Sequence, residues 1–158
     1  MIASASVIFA GAIQDYNLGV VIGEETFGKG TVQSLLPLPK GQLKATTAKY
    51  YRVSGKSTQN KGVVPDLYYP SLYSLHDIGE SSLPDALPWD KINSIPYQTY
   101  YKMEEVIPLL QDLHAARNST SQDYKYVLER RERNEMMRNK KEISLSEKTR
   151  KKEQEEAD

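Results

Sequence analysis

Ser4, Lys29 and Gln33 are the residues whose types and spacing can do chemistry. The serine stands at the start of an apolar segment, the lysine comes 25 residues later in a glycine-bearing loop, and the glutamine lies four residues beyond it. A serine hydroxyl is a poor nucleophile at neutral pH and needs an adjacent base. A lysine can be that base only as the free amine, whereas a solution pKa of about 10.4 keeps the side chain charged. Desolvation in an apolar pocket brings a lysine towards about 7–8. Phe27 offers an apolar wall, and Gly28 and Gly30 allow backbone to approach closely. Gln33 can hold the amine on its serine by a hydrogen bond. A serine at a helix start has a second use: the helix dipole and the backbone N–H of Ala5 point at the oxyanion that forms on acyl transfer.

Each residue also has a plainer reading. A serine before an apolar helix is usually an N-cap, and a lysine in a glycine loop is usually solvated. Ser6 is the rival nucleophile. Asp15 reads as a structural residue at a helix end rather than a triad acid, because a lysine base needs no imidazole orienter. The run Gly23-Glu24-Glu25-Thr26-Phe27-Gly28-Lys29 nearly spells a phosphate-binding loop, but it fails as one. Gly30 stands where Ser or Thr must hold magnesium, and Glu24 and Glu25 repel phosphate. The next residues, from Thr31, are strand-like and stop at Pro37, where a phosphate loop needs a helix N-terminus. Asn118-Ser119-Thr120 matches a glycosylation sequon by chance.

The elements that must position these groups can be read from periodicity. Residues 4–16 are apolar nearly all round, which predicts a buried helix ended by Asn17 and Gly19. Residues 18–23 predict a short buried strand. Residues 31–38 predict a second strand, hairpinned through Lys40-Gly41 to a third over residues 42–53. Residues 62–66 are short and extended. Pro70, Pro84, Pro88 and Pro96 mark residues 70–100 as a long connection over the domain, with Trp89 as its pin. Val106, Leu109, Leu110 and Leu113 are spaced for a helix over residues 103–117 that Pro108 should kink or begin, and residues 121–141 predict a charged helix. The tail from Ser146 is almost wholly charged and is expected to fray. The expected fold class is therefore α/β (α+β): a core of strands with a buried helix over residues 1–70, a Pro-rich connector over 71–100, and a helical module over 101–158.

Bulk composition narrows the function classes. The 158 residues carry 21 basic and 21 acidic side chains, so no whole-chain field points to nucleic acid or to an anionic membrane. The placement of charge is more telling than its sum: 13 residues of each sign fall after residue 100, which marks a boundary there. With no cysteine, disulfides and thiolate metal sites are excluded. His76 and His114 lack metal-ligand spacing, so no metal and no cofactor are expected. No stretch is apolar enough for a membrane span, and the start has no signal-peptide pattern.

The blocks themselves resemble the carboxy-terminal processing peptidases, most closely their bacterial tail-specific subgroup. Ser4-Ala5-Ser6 before an apolar helix resembles the family's nucleophile segment. Thr26-Phe27-Gly28-Lys29-Gly30-Thr31-Val32-Gln33 resembles its base segment. Lys49-Tyr50-Tyr51-Arg52, continuing as Gln59, Gly62, Pro65 and Asp66, and the later Ala86-Leu87-Pro88-Trp89-Asp90 are also similar to the family. Where the family usually has glutamate after the second serine, this chain has Val7. The resemblance implies a serine endopeptidase with a Ser4–Lys29 dyad, Gln33 holding the lysine, protein or peptide substrates entered through their C-terminal tails, and a periplasmic parent. It also implies an N-terminal portion, carrying a peptide-binding PDZ module, further strands and a second oxyanion donor. On this reading the 158 residues are an incomplete protease core that is inactive alone. The alternative from another class is a non-catalytic helical interaction module, with the helical C-terminal part docking to a partner.

Overall fold

The computed structural model describes residues 4–72 and 78–155, with the side chain of Ser4 outside the description. The first helix, α1, spans Ser4–Asp15. It ends where Asn17 takes a left-handed conformation (φ 52°). There the N–H of Asn17 bonds to the Gln14 carbonyl at 3.0 Å and that of Leu18 to the Ile13 carbonyl at 2.9 Å, a closure that satisfies two helix-end carbonyls. The helix forms as expected, but only one side of it is buried. Val7 is 4% exposed while Phe9 is 69% exposed and Ile8 40%. The apolar sequence dictates a helix that seeks cover all round; among the described residues, cover is available on one face.

A short parallel pair joins β1 (Ile22–Gly23) to β4 (Leu67–Tyr68). Strand β1 is thus shorter than the run of apolar residues over 18–23 suggested, and Ile22 is exposed. Only its last residues find a partner strand, and β propensity without a ladder does not make a strand. The antiparallel hairpin is as predicted: β2 (Thr31–Pro37) pairs with β3 (Gln42–Lys49). Its register steps between Val32, opposite Ala48, and Gln33, opposite Thr46, so that Thr47 is the extra residue of a bulge. Strand β3 stops at Lys49 rather than Val53, because Arg52 N–H bonds back to Lys56 and Gly55 N–H to Arg52, turning the chain.

The connection over residues 78–102 holds a single 3-10 turn at Glu80–Ser82 among the described residues. Trp89 does pin it: the indole N–H donates to the Ser57 carbonyl at 2.9 Å and Lys61 lies over the ring at 4.5 Å. Next to it, Asp90 takes a 2.7 Å ion pair from Lys49 and a 2.8 Å hydrogen bond from the Tyr51 hydroxyl. These bonds hold the Asp90 carboxyl below its ordinary range, and the carboxylate in turn raises the Tyr51 phenol.

Three helices complete the chain. Helix α2 (Met103–Thr120) neither begins nor ends at Pro108, which sits inside it. Ser121 caps α3 (Gln122–Asn139) by accepting the Tyr124 N–H at 3.2 Å. Within the charged tail, Glu147–Glu155 forms α4, in which Glu147 and Lys151 pair at i,i+4 spacing. Alternating charge at helical spacing supports a solvated helix without any apolar face.

Among the described residues the buried apolar set is small: Val7, Val63 and Leu67. Polar ties do much of the joining. Arg52 ends the hairpin arm and reaches back to α1, donating to both oxygens of Asp15 at 2.5 and 2.9 Å and to the Gly11 carbonyl at 3.1 Å. Ser54 donates to the same carboxylate at 3.0 Å. The two charged side chains are only 11% and 7% exposed. Removing one partner of such a pair strands the other charge in a low-dielectric site. Arg52→Ala is therefore expected to lower stability by about 3–5 kcal/mol, measured by urea denaturation. An unchanged midpoint would show that the pair does not anchor α1.

Candidate active site

The loop bearing Lys29 is built by close packing of backbone on backbone. Residues 24–30 lie against residues 57–63, and glycines make the approach possible. Gly28 has φ +86°, and a Cβ on it would sit 2.5 Å from the Asn60 carbonyl oxygen. A Cβ on Gly30 would sit 2.6 Å from the Gln59 nitrogen. Gly28 and Gly30, read in the sequence as residues that let backbone approach, are in contact with that neighbouring segment.

Hydrogen bonds lock the seam. Asn60 N–H donates to the Gly28 carbonyl at 2.7 Å, and Thr26 N–H to the Val63 carbonyl at 3.1 Å. Val63 N–H returns to the Thr26 hydroxyl at 2.9 Å. Gly30 N–H donates to the side-chain oxygen of Gln59 at 2.7 Å, and Tyr50 N–H to the Gly30 carbonyl at 2.7 Å. Gln59 is fully buried, and its amide N–H₂ donates to Glu80 at 2.8 Å. Sequence reasoning placed Gln59 in a block without a role and passed over Glu80. A glutamine between polar neighbours in a turn carries no periodic signal, so its burial becomes visible only once the two loops are brought together.

Lys29 rides on this frame at the entrance to β2. It is partly buried, and its ammonium donates to the Thr31 carbonyl at 3.0 Å. Gln33 is exposed and turns across the hairpin to the Thr46 hydroxyl, 3.4 Å away. The structure thus gives Lys29 and Gln33 separate partners, because Gln33 stands directly opposite Thr46 in the ladder. Ser4 is the first residue of α1, and Ala5, the second, belongs to the first turn, whose N–H groups have no partner within the helix. Asp15 lies at the other end, about 16 Å along the axis from Ser4 at 1.5 Å per residue. Its carboxylate is occupied by Arg52 and Ser54.

Polar ties bind the C-terminal helices to this region. Arg131 of α3 pairs with Glu24, the first residue of the loop bearing Lys29, and donates to the Tyr68 hydroxyl at 2.7 Å. That hydroxyl donates to Glu24 at 2.9 Å. His114 of α2, 9% exposed, lies 2.8 Å from the Tyr68 carbonyl, with Arg117 at its other ring nitrogen. His76 lies outside the described residues. Among the described residues no cluster of His, Asp or Glu could hold a metal ion, and no helix is long and apolar enough to cross a membrane.

Comparison with known proteins gives the frame a family. Residues 2–69 match the model of Peptidase family S41, and residues 73–158 match that of the C-terminal domain of tail specific protease. The tail-specific protease of Haemophilus influenzae is 38% identical over 99% of this chain, which spans 24% of that protein. The carboxy-terminal-processing protease of Bartonella bacilliformis is 47% identical over 51% of the chain, covering 20% of its own length. Among solved structures, the photosystem II D1 C-terminal processing protease is 40% identical over 42% of this chain and 17% of that one, with a TM-score of 0.38. The chain thus spans about a quarter or less of the length of these relatives. It belongs to the tail-specific proteases, joining a stretch of the family S41 peptidase to the family's C-terminal domain.

Proposed function

We propose that these residues form the nucleophile-and-base segment of a serine endopeptidase working through a Ser4–Lys29 dyad, and that the protease engages proteins through their C-terminal tails. Ser4 attacks the scissile carbonyl. Lys29, as the free amine, takes the hydroxyl proton and returns it to the leaving amine. The Ala5 N–H, aided by the helix dipole, stabilises the oxyanion, and a second donor comes from elsewhere in the protease. Gln33 steadies the lysine once substrate is bound, and Asp15 holds the far end of α1. No metal or cofactor takes part in these steps. The periplasm is the compartment assigned to the parent, and the division into residues 1–70, 71–100 and 101–158 belongs to the same reading.

One observation carries the proposal: the loop bearing Lys29 is fastened on both flanks by buried hydrogen bonds, at Gly28 and at Gly30, with no room for a side chain at either glycine. A solvated surface lysine needs no such seat. The contact of Lys29 with the Thr31 carbonyl suits a base as well. A neutral amine that donates one N–H there still has its lone pair free to accept the serine proton.

In the whole protease, Ser4→Ala and Lys29→Ala should each lower kcat by more than about 10³ with folding intact, leaving only oxyanion and binding contributions. Ser6→Ala should stay within a few-fold of wild type. Activity within tenfold of wild type for Lys29→Ala would remove it as base, and an inert response to Ser4→Ala as well would favour the helical interaction module.

The 158 residues by themselves should not turn over substrate. Phe9 on α1 and Val32, Leu35 and Leu43 on the hairpin are half or more exposed, apolar surfaces that a working protease must cover to keep water from its base. Loss of a single oxyanion donor already costs about 10²–10³ in rate. Incubation of the purified chain with casein at neutral to mildly alkaline pH should release no peptide above background. Cleavage that vanishes in the Ser4→Ala version would overturn this expectation.

A further inference from the structure

Glu80 lies within the stretch that matches the C-terminal domain, yet it is buried against the base loop of the peptidase stretch. It is 8% exposed and opens the 3-10 turn Glu80–Ser82. Two contacts link it to the loop on either side of Lys29. Its backbone N–H donates to the Phe27 carbonyl at 2.8 Å. Its carboxylate accepts the amide N–H₂ of Gln59 at 2.8 Å, and the oxygen of that same amide accepts the Gly30 N–H at 2.7 Å.

The chemistry of the groups gives this chain of bonds a direction. A glutamine amide has a donor end and an acceptor end, and it can turn over to exchange them. An ionised carboxylate can only accept. Glu80 therefore compels Gln59 to present its N–H₂ outward to the turn and its oxygen inward to Gly30. With the amide reversed, two donors would face each other at Gly30, and a buried N–H would lose its partner. A leucine or alanine at position 80 would leave the amide N–H₂ without its acceptor, so that the Gly30 N–H alone would hold the amide in place.

We propose that Glu80 is a positioning residue for Lys29, by which the C-terminal domain sets the geometry of the base through the Gln59 amide. It touches neither substrate nor reacting atoms. The inference rests on Lys29 being the base.

The test uses the whole protease with casein as substrate, reading kcat and KM separately beside the thermal midpoint. Glu80→Ala should lower kcat by about 10²-fold, the size of effect expected from misplacing a catalytic group by about 1 Å, with KM within about twofold. Glu80→Gln keeps an acceptor but adds a competing donor, so it should fall between wild type and Glu80→Ala. Gln59→Glu faces two carboxylates and should lose as much as Glu80→Ala. The double variant Gln59→Glu with Glu80→Gln restores a donor–acceptor pair with an acceptor still facing Gly30, and should regain most of the lost kcat. This pair decides the matter even if Glu80→Ala fails to fold. A folded Glu80→Ala with unchanged kcat, a change confined to KM, or a double variant no better than Gln59→Glu alone would each overturn the proposal. Lys29→Ala is measured alongside. If it stays active, the base assignment itself fails; if it is dead while Glu80→Ala is unaffected, only the positioning role falls.

Discussion

The Gln59 amide is the interaction that joins the loop bearing Lys29 to the turn at Glu80. It is fully buried, and both its ends are used, one on Gly30 and one on Glu80. A buried polar group that loses its partner costs about 1–3 kcal/mol, whereas a satisfied one adds direction without that penalty. The glycines beside it make the contact close enough to matter. Gly28 and Gly30 remove the side chains that would otherwise hold the two loops apart, and Gly62, at φ +68°, turns the second loop back towards Thr26.

Around that centre the molecule is joined more by charge and hydrogen bonds than by oil. Mean hydropathy is −0.61, and the buried apolar residues are few. Asp66 shows the pattern in small: one carboxylate oxygen accepts the Val21 N–H at 2.8 Å and the other the Gln14 amide at 3.0 Å, so it joins the loop before β4 to the strand approach and to α1. Arg52 on Asp15 does the same from the hairpin side, and Arg131 on Glu24 from the C-terminal helices. Each tie crosses between segments far apart in sequence. The apolar residues of α1 and of the hairpin that stand exposed are consistent with a stretch that spans only part of the length of its relatives.

Helices and hairpin were legible because their signals are local. Asn17 and Gly19 after an apolar run and Lys40-Gly41 between two strand-like runs each carry their own turn chemistry. The departures are equally physical. A charged tail without an apolar face gives no packing reason to be ordered, yet Glu147–Glu155 is helical there, with Glu147 paired to Lys151 at i,i+4 spacing. The strand predicted over residues 18–23 is reduced to β1, since a ladder needs a partner and only Leu67 and Tyr68 supply one.

The sequence by itself determined which residues could act. A serine at a helix start and a lysine flanked by two glycines are statements about side-chain chemistry and backbone freedom, and both are local properties. It could equally show that Asp15 ends a helix, though not that Arg52, 37 residues on, would occupy it. Only the tertiary structure decided that Gln33 faces Thr46 across a bulged ladder while Lys29 turns to Thr31, since strand register is set by the partner strand. It alone made a buried group of Gln59 and brought Glu80 to the loop bearing Lys29. The reason is that burial belongs to a meeting of segments: Gly30, Gln59 and Glu80 lie 21 or more residues apart, and no pattern along the chain records that they will share one hydrogen-bonded seam.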